Sequence, residues 1–285
     1  MKSAKFLRLV FLLSLVLLPL ALIFSPFQAI FLNGIAVVLT CLTLLWLVSL
    51  VVKDASIIDI FWGMGFVIIA WAYAMDIGWD NMGIRHKVLL GLVSVWGSRL
   101  TVYLAVRNLG KGEDYRYVQM REAGGANWWL ISYLRVFILQ GIILWVVSSL
   151  LVPALLTGNE LQPLDYLGIG LWVLGFYFEA VGDWQMMRFK ANKANQGKVM
   201  NKGLWKYTRH PNYFGDATLW WGFFCFCLAH PQGVIHVFAP LYMTFMLLKI
   251  SGVAMLERAL VHTKPAYQDY VSRTSAFIPM KPKEG

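Results

Sequence analysis

Five charged or polar positions stand inside stretches that are otherwise apolar, and their types suit acid–base chemistry or the binding of a polar ligand. Glu179 and Asp183 are four apart, so on a helix both carboxylates point the same way. Asp216 follows Asn212 by the same interval in the next apolar stretch, on a shared face. Asp59 precedes Trp62, Gly63 and Gly65 near the start of another run, and Arg99 lies in the run after that. A charge within hydrocarbon costs about 2.5–3.5 kcal/mol on insertion scales, so each one needs a partner or a task. Singly, each has a structural account: helix starts favour Asp59 and Asp216, and Arg99 could neutralise Asp59 or Glu179. The set is harder to explain that way, because Glu179 and Asp183 repel unless a cation or several donors lie between them.

The segment 197–216, GKVMNKGLWKYTRHPNYFGD, carries a basic stretch straight into an apolar helix. It sets Lys198, Lys202, Lys206, Arg209 and His210 against Pro211, Asn212, Tyr213 and Asp216. Pro211 can open a helix, where its missing N–H is not needed. His210, the residue before it, is held out of the helix. Arg209 and His210 then stand beside the unsatisfied amides of a helix start, where phosphate or another anion binds readily. A phosphorylated cofactor and an anionic lipid headgroup satisfy these residues equally. Lys190, Lys193 and Lys198 also have a plainer reading as cations that fix membrane topology.

The elements that must position these groups follow from composition. Of 285 residues, 59% are hydrophobic and 14% charged, with mean hydropathy +0.60, far from the roughly 45–50% apolar and 25% charged of soluble domains. Apolar runs near or above about 17 residues are too long for barrel strands, so the fold class is all-α, a polytopic membrane helix bundle of about 7–8 spans. Eight stretches qualify: 6–24, 30–52, 57–75, 88–106, 128–153, 164–186, 213–229 and 234–250. One side of the membrane receives Lys2, Lys5 and Arg8, then Lys53, then Arg107, Lys111, Arg116 and Arg121, then the cations from Arg188 to Arg209, and finally the tail. The other receives Arg85 and Lys87, which makes both termini cytoplasmic. The net charge of +10 is explained by orientation, without nucleic acid. The first apolar run is too long for a signal-peptide core and no small-x-small site follows it, so an uncleaved helix is expected. The tail reads as a helix, a break near Lys264 and Pro265, and a short second helix ending before Pro279. Cys41, Cys225 and Cys227 lie in apolar runs, the five histidines form no HExxH, and no metal site or disulfide is expected. Gly168 and Gly170 follow no strand and lack the third glycine of a Rossmann fingerprint; like Gly63 and Gly65 they read as helix packing.

The run Gly203-Leu204-Trp205-Lys206-Tyr207-Thr208-Arg209-His210-Pro211-Asn212-Tyr213-Phe214-Gly215-Asp216 resembles the C-terminal half of the membrane steroid 5-alpha-reductase superfamily, most closely its bacterial DUF1295-type branch. Asp59 through Gly63, Arg99 with Tyr103, Glu113 through Tyr117, and Glu257, Tyr267, Gln268, Asp269, Tyr270 and Pro279 extend the resemblance over roughly 59–279. Sterol reductases share the fold, and isoprenylcysteine carboxyl methyltransferase has a similar Arg-His-Pro opening. The resemblance implies a cytoplasm-facing NADPH site lined by Glu179, Asp183, Asn212, Asp216, Arg209, His210 and Tyr213, with Lys190 and Lys198 near phosphate. It implies that Glu257, Tyr267, Tyr270 and Arg273 close over the adenosine end. The lipid would lie deeper, among the N-terminal helices. Hydride would pass to the beta carbon of an enone while an acid serves its ketone oxygen, the part taken in steroid reductases by a Glu and a Tyr. Here the candidate acid is Asp59, with Tyr103 and Arg99 completing the catalytic set. Aligned through Arg99 and Tyr103, Trp96 occupies the tyrosine position, so Tyr103 or Tyr73 must substitute or the activation must differ.

The chain is thus expected to be one membrane domain, with a helical pair at 1–56, substrate-side helices at 57–187 and a cofactor side at 188–285. The expected activity is NADPH-dependent reduction of a C=C bond in an alpha,beta-unsaturated ketone of a steroid-like or other membrane-soluble lipid, by a monomer in the bacterial inner membrane. The alternatives are an S-adenosylmethionine-dependent membrane methyltransferase and a non-enzymatic lipid-binding or transport protein.

Overall fold

The computed structural model describes residues 2–250, 253, 257 and 267–283, with side chains from residue 9 onward and Asn81 excepted. Among these residues regular structure is helical, apart from one isolated bridge between Thr208 and Ser275. The eight apolar stretches fall on eight helical segments. Six are long and apolar enough to cross a membrane: α2 (Gln28–Val52), α3 (Ile57–Ile77), α4 (Ile84–Asn108), the composite Tyr115–Ser148, α9 (Pro163–Ala191) and α11 (Gly233–Ile250). The chain is a multi-pass membrane protein. The other two are α1 (Lys2–Ile23) and α10 (Pro211–Cys227), the latter of 17 residues. The composite strings together α5 (Tyr115–Gly124), α6 (Trp128–Ser132) and α7 (Leu139–Ser148), with a π-helical turn at Tyr133–Ile138. The expected break at Lys264-Pro265 lies outside the described residues; the short helix after it is α12 (Tyr267–Arg273). The chain divides into two compact units, Met1–Glu160 and Leu161–Gly285.

In the first unit α2, α3, α4 and α7 surround an aromatic core. Phe31 meets Tyr73 and Trp145 edge-on, at 6.3 and 6.5 Å between ring centroids, and the Trp145 indole N–H donates to Phe31 O at 2.9 Å. Helices α3 and α4 cross at Gly63 and Gly97, where each glycine lies against the other's carbonyl. Trp96 is fully buried beside Phe66, 5.6 Å away. Arg85, expected at a membrane surface, has 0% exposure. Its guanidinium donates to the carbonyls of Ala154, the fourth residue of α8 (Leu151–Leu155), and Thr157, where a cation offsets the helix dipole. A buried role for this arginine was not legible, because its acceptors come 69 and 72 residues later.

In the second unit α9 and α10 run side by side along a glycine ladder. Gly168, Gly175 and Gly182 recur every seventh residue of α9, as Gly215 and Gly222 do in α10. A Cβ at Gly168 would stand 2.6 Å from Gly222 O, one at Gly175 2.5 Å from Gly215 O, and one at Gly182 3.1 Å from the Pro211 ring. Small residues at this interval let backbones touch, the usual adhesive of helices in lipid. Pro163 opens α9, with the Asp165 carboxylate accepting from Gln162 N at 2.7 Å. Pro211 opens α10, and His210 before it is outside the helix at φ −140°.

Candidate functional site

Within the first unit, Asp59 lies in the first turn of α3, whose start is tied to the start of α5. Glu113 accepts from the Ala55 amide at 2.7 Å and holds the Arg121 guanidinium by two bonds, at 2.8 and 2.9 Å. Asp114 caps α5, accepting from Arg116 N at 3.0 Å. These bonds satisfy amides that helix starts leave free, and they bring Arg116 and Tyr117 onto Asp59. The Tyr117 hydroxyl donates to one Asp59 oxygen at 2.7 Å, and Arg116 donates to the other at 2.8 Å. Arg116 also holds Asp114 at 2.8 Å, so one guanidinium serves two carboxylates. Burial alone would raise the Asp114 carboxyl, but bonds from the Arg116 side chain and backbone outweigh it and hold it below its ordinary range. Gln140 of α7 donates to the Tyr117 oxygen at 3.4 Å and accepts from the Trp62 indole. The network is therefore Trp62–Gln140–Tyr117–Asp59–Arg116–Asp114, with the Asp59 side chain 19% exposed.

The tyrosine bonded to Asp59 is thus Tyr117. Tyr103 lies instead between Arg99 and Arg107, whose guanidinium carbons are 5.4 and 5.6 Å from its ring centre. Tyr73 is in the aromatic core, with its hydroxyl 3.4 Å from Ser148 Oγ. Tyr117, Arg116 and Gln140 went unassigned in the sequence. The signal that pointed there was the polar run 113–117, with an Asp in N-cap position and two aromatic hydroxyls following.

Within the second unit, the structure brings the acidic positions to one seam. Glu179 and Asp183 are each 3% exposed. The Asn212 amide donates to Asp183 at 3.1 Å, Gly215 packs its backbone on Glu179, and Asp216 stands one turn beyond Asn212. Asn212 Oδ1 is buried with no hydrogen-bond partner among the described residues.

The basic positions are arranged differently. Arg209 is 7% exposed and turned toward the tail: Nε donates to Glu257 at 2.7 Å, and Nη1 donates to the carbonyls of Val271 and Thr274. His210 Nε2 lies 3.3 Å from the same Glu257 oxygen, and its ring stacks on Tyr213 at 5.4 Å. Burial would raise the Glu257 carboxyl, but the bonds from His210 and Arg209 and the charge beside it bring it down to about 2. Tyr267 and Tyr270 are buried, which pushes the Tyr267 hydroxyl up to about 12 and Tyr270 higher still. Tyr270 donates to Trp205 O, and Trp205 donates to Gly182 O at 3.0 Å. Backbone bonds complete the strap, from Arg209 N to Ser275 O at 2.9 Å and from Met280 N to Tyr207 O at 3.0 Å. Arg209 therefore presents its guanidinium to Glu257 and two carbonyls, the position expected of a phosphate ligand notwithstanding. Lys190 and Lys198 are exposed, and Arg273 pairs with Asp269 at 2.9 Å. No group of metal-ligating residues occurs among the described residues.

The family described as "protein of unknown function (DUF1295)" matches residues 45–274. The chain belongs to that family. The DUF1295 match takes in both polar clusters, from Asp59 to Arg273. An uncharacterised protein of Schizosaccharomyces pombe (strain 972), C594.04c, is similar at 25% identity over 269 residues, covering 82% of this DUF1295 chain and 75% of that protein. No solved structure matches the chain.

Proposed function

We propose that the chain is an NADPH-dependent reductase of a carbon–carbon double bond conjugated to a ketone, acting on a membrane-soluble lipid and related to the steroid 5-alpha-reductase superfamily. The observation that carries the reading is the Tyr117–Asp59 pair backed by Arg116. A phenol whose proton rests on a carboxylate can turn that O–H to a ketone oxygen when one is bound, and so donate to the enolate that forms. Asp59 keeps the role expected of it. Tyr117 takes the tyrosine's part, and Arg99 with Tyr103 lines the helix beyond.

The second cluster fits the cofactor. Asp183 and Glu179 suit ribose hydroxyls, and Asn212 Oδ1, which has no hydrogen-bond partner among the described residues, is an acceptor that a hydroxyl or carboxamide N–H would meet. Lys190 and Lys198 supply positive charge for phosphates, while Arg209 and Glu257 hold the tail that carries Tyr267 and Tyr270. When bound, NADPH supplies the hydride. The chain's own residues bind it, hold the proton and polarise the ketone. The cation-rich loops support a cytoplasm-facing cofactor side in a bacterial inner membrane, and the protein works as a monomer.

The test is thermal stabilisation of the detergent-purified chain by NADPH, NADH and S-adenosylmethionine. A ligand of the folded state at a hundred times its dissociation constant adds about 2.7 kcal/mol. NADPH should stabilise the wild type and Asp59→Asn alike, and should fail on Asp216→Ala. Stabilisation by S-adenosylmethionine alone would replace the reductase with the methyltransferase. A flat response to all three would favour a lipid-binding or transport role.

A further inference from the structure

We propose that Gln140, anchored by Trp62, is a positioning residue that fixes the direction of hydrogen bonding at Tyr117 and keeps an N–H aimed at its oxygen whatever becomes of the phenol proton. The direction follows from which groups can donate. An indole N–H is a donor only, so the Gln140 atom facing Trp62 must be the amide oxygen. The other end of the amide is then NH₂, and it faces the Tyr117 oxygen at 3.4 Å. With one N–H arriving, the Tyr117 hydroxyl is left to donate, and its acceptor is Asp59 at 2.7 Å. Arg116 fills the other Asp59 oxygen, so the carboxylate cannot turn toward a different donor without losing an ion pair. Each link therefore sets the polarity of the next, and the order is reached from Trp62 in α3 through Gln140 in α7 to Tyr117 in α5 and back to α3.

The consequence for chemistry rests on the reductase reading. The phenol has one proton, held at rest by Asp59. To serve a ketone the hydroxyl turns from Asp59 to the ketone oxygen, the O–H bond breaks as the proton passes to the forming enolate, and a phenolate remains until Tyr117 is reprotonated. The Gln140 N–H is already directed at that oxygen, as a preorganised donor is at any oxygen that gains charge during reaction.

The two halves of the amide can be tested separately in the full chain reconstituted in lipid nanodiscs, with ¹⁵N-indole tryptophan and 3-fluorotyrosine at position 117. The Trp62 indole resonance is the one lost in Trp62→Phe. Gln140→Met removes both halves and should move the Trp62 indole and the fluorine resonances together. Gln140→Glu keeps an oxygen for Trp62 but loses the N–H, so it should spare the indole resonance and move the fluorine. The relay is refuted if Gln140→Met moves neither, or if Gln140→Glu moves the indole and leaves the fluorine in place. Turnover of a 4-en-3-one steroid with NADPH is a separate arm. There Gln140→Met should lower kcat about tenfold at unchanged KM, the worth of one ordinary hydrogen bond; a change in KM alone would overturn the catalytic role. Wild-type inactivity on that probe would count against the reductase and its positioning role, with the relay then judged by the resonances.

Discussion

Replacing Glu257 with Gln should loosen the junction between the tail and the start of α10, and the structure sets the size of the effect. The Glu257 carboxyl sits at about 2 against an ordinary 4.5. A gap that wide corresponds to about 3 kcal/mol at full strength. Glu257 is 22% exposed, and water screening reduces this to roughly 1–2 kcal/mol. A carboxyl depressed by folding stabilises the protein fully above its unfolded value and loses that contribution as pH falls toward the folded one. The wild type should therefore shed this increment between about pH 4.5 and 2, while Glu257→Gln lacks it at pH 7 and has none to lose. The assay is denaturant unfolding in detergent across that range, with limited proteolysis of the tail as a local readout. If Glu257→Gln matched the wild type in stability and tail protection at pH 7, or lost stability equally through the acid window, the clamp assigned to Arg209, His210 and Glu257 would be wrong.

The glycine ladder predicts opposite outcomes for two neighbouring substitutions. Gly175→Ala places a methyl 2.5 Å from a backbone carbonyl that cannot move aside and should cost about 1–3 kcal/mol in unfolding titrations. Gly170→Ala meets nothing within 4 Å and should be neutral or stabilise by up to about 1 kcal/mol. Arg85→Leu strips the charged donor from the Ala154 and Thr157 carbonyls and should cost about 2–3 kcal/mol, read by the same titration.

The helices were legible because lipid demands long apolar stretches and hydropathy reports them directly. The α9–α10 seam was also within reach: Glu179 and Asp183 at one helical interval, and Asn212 and Asp216 at another, are local patterns that survive folding. What the sequence concealed was partnership across distance. Asp59 meets Arg116 and Tyr117 some 57 and 58 residues on, and nothing in the spacing favours Tyr117 over Tyr103 or Tyr73. The deciding feature is a turn, in which Glu113 reaches back to the Ala55 amide and carries the start of α5 to α3. Arg209 is a second case of the same kind: beside a helix start it looks like an anion ligand, and only the fold reveals that its Nε and Nη1 bond Glu257 and the carbonyls of 271 and 274.

Backbone contact along the ladder fixes rotation as well as distance, since helices that touch through glycines cannot roll without driving a side chain into the neighbouring chain. An α-helix turns about 100° per residue. One residue inserted between Gly175 and Glu179 would keep the upper rungs and swing both acids away from Asn212. Change along this pair therefore has to arrive as substitution, because even the smallest insertion or deletion dismantles the acidic face at a stroke.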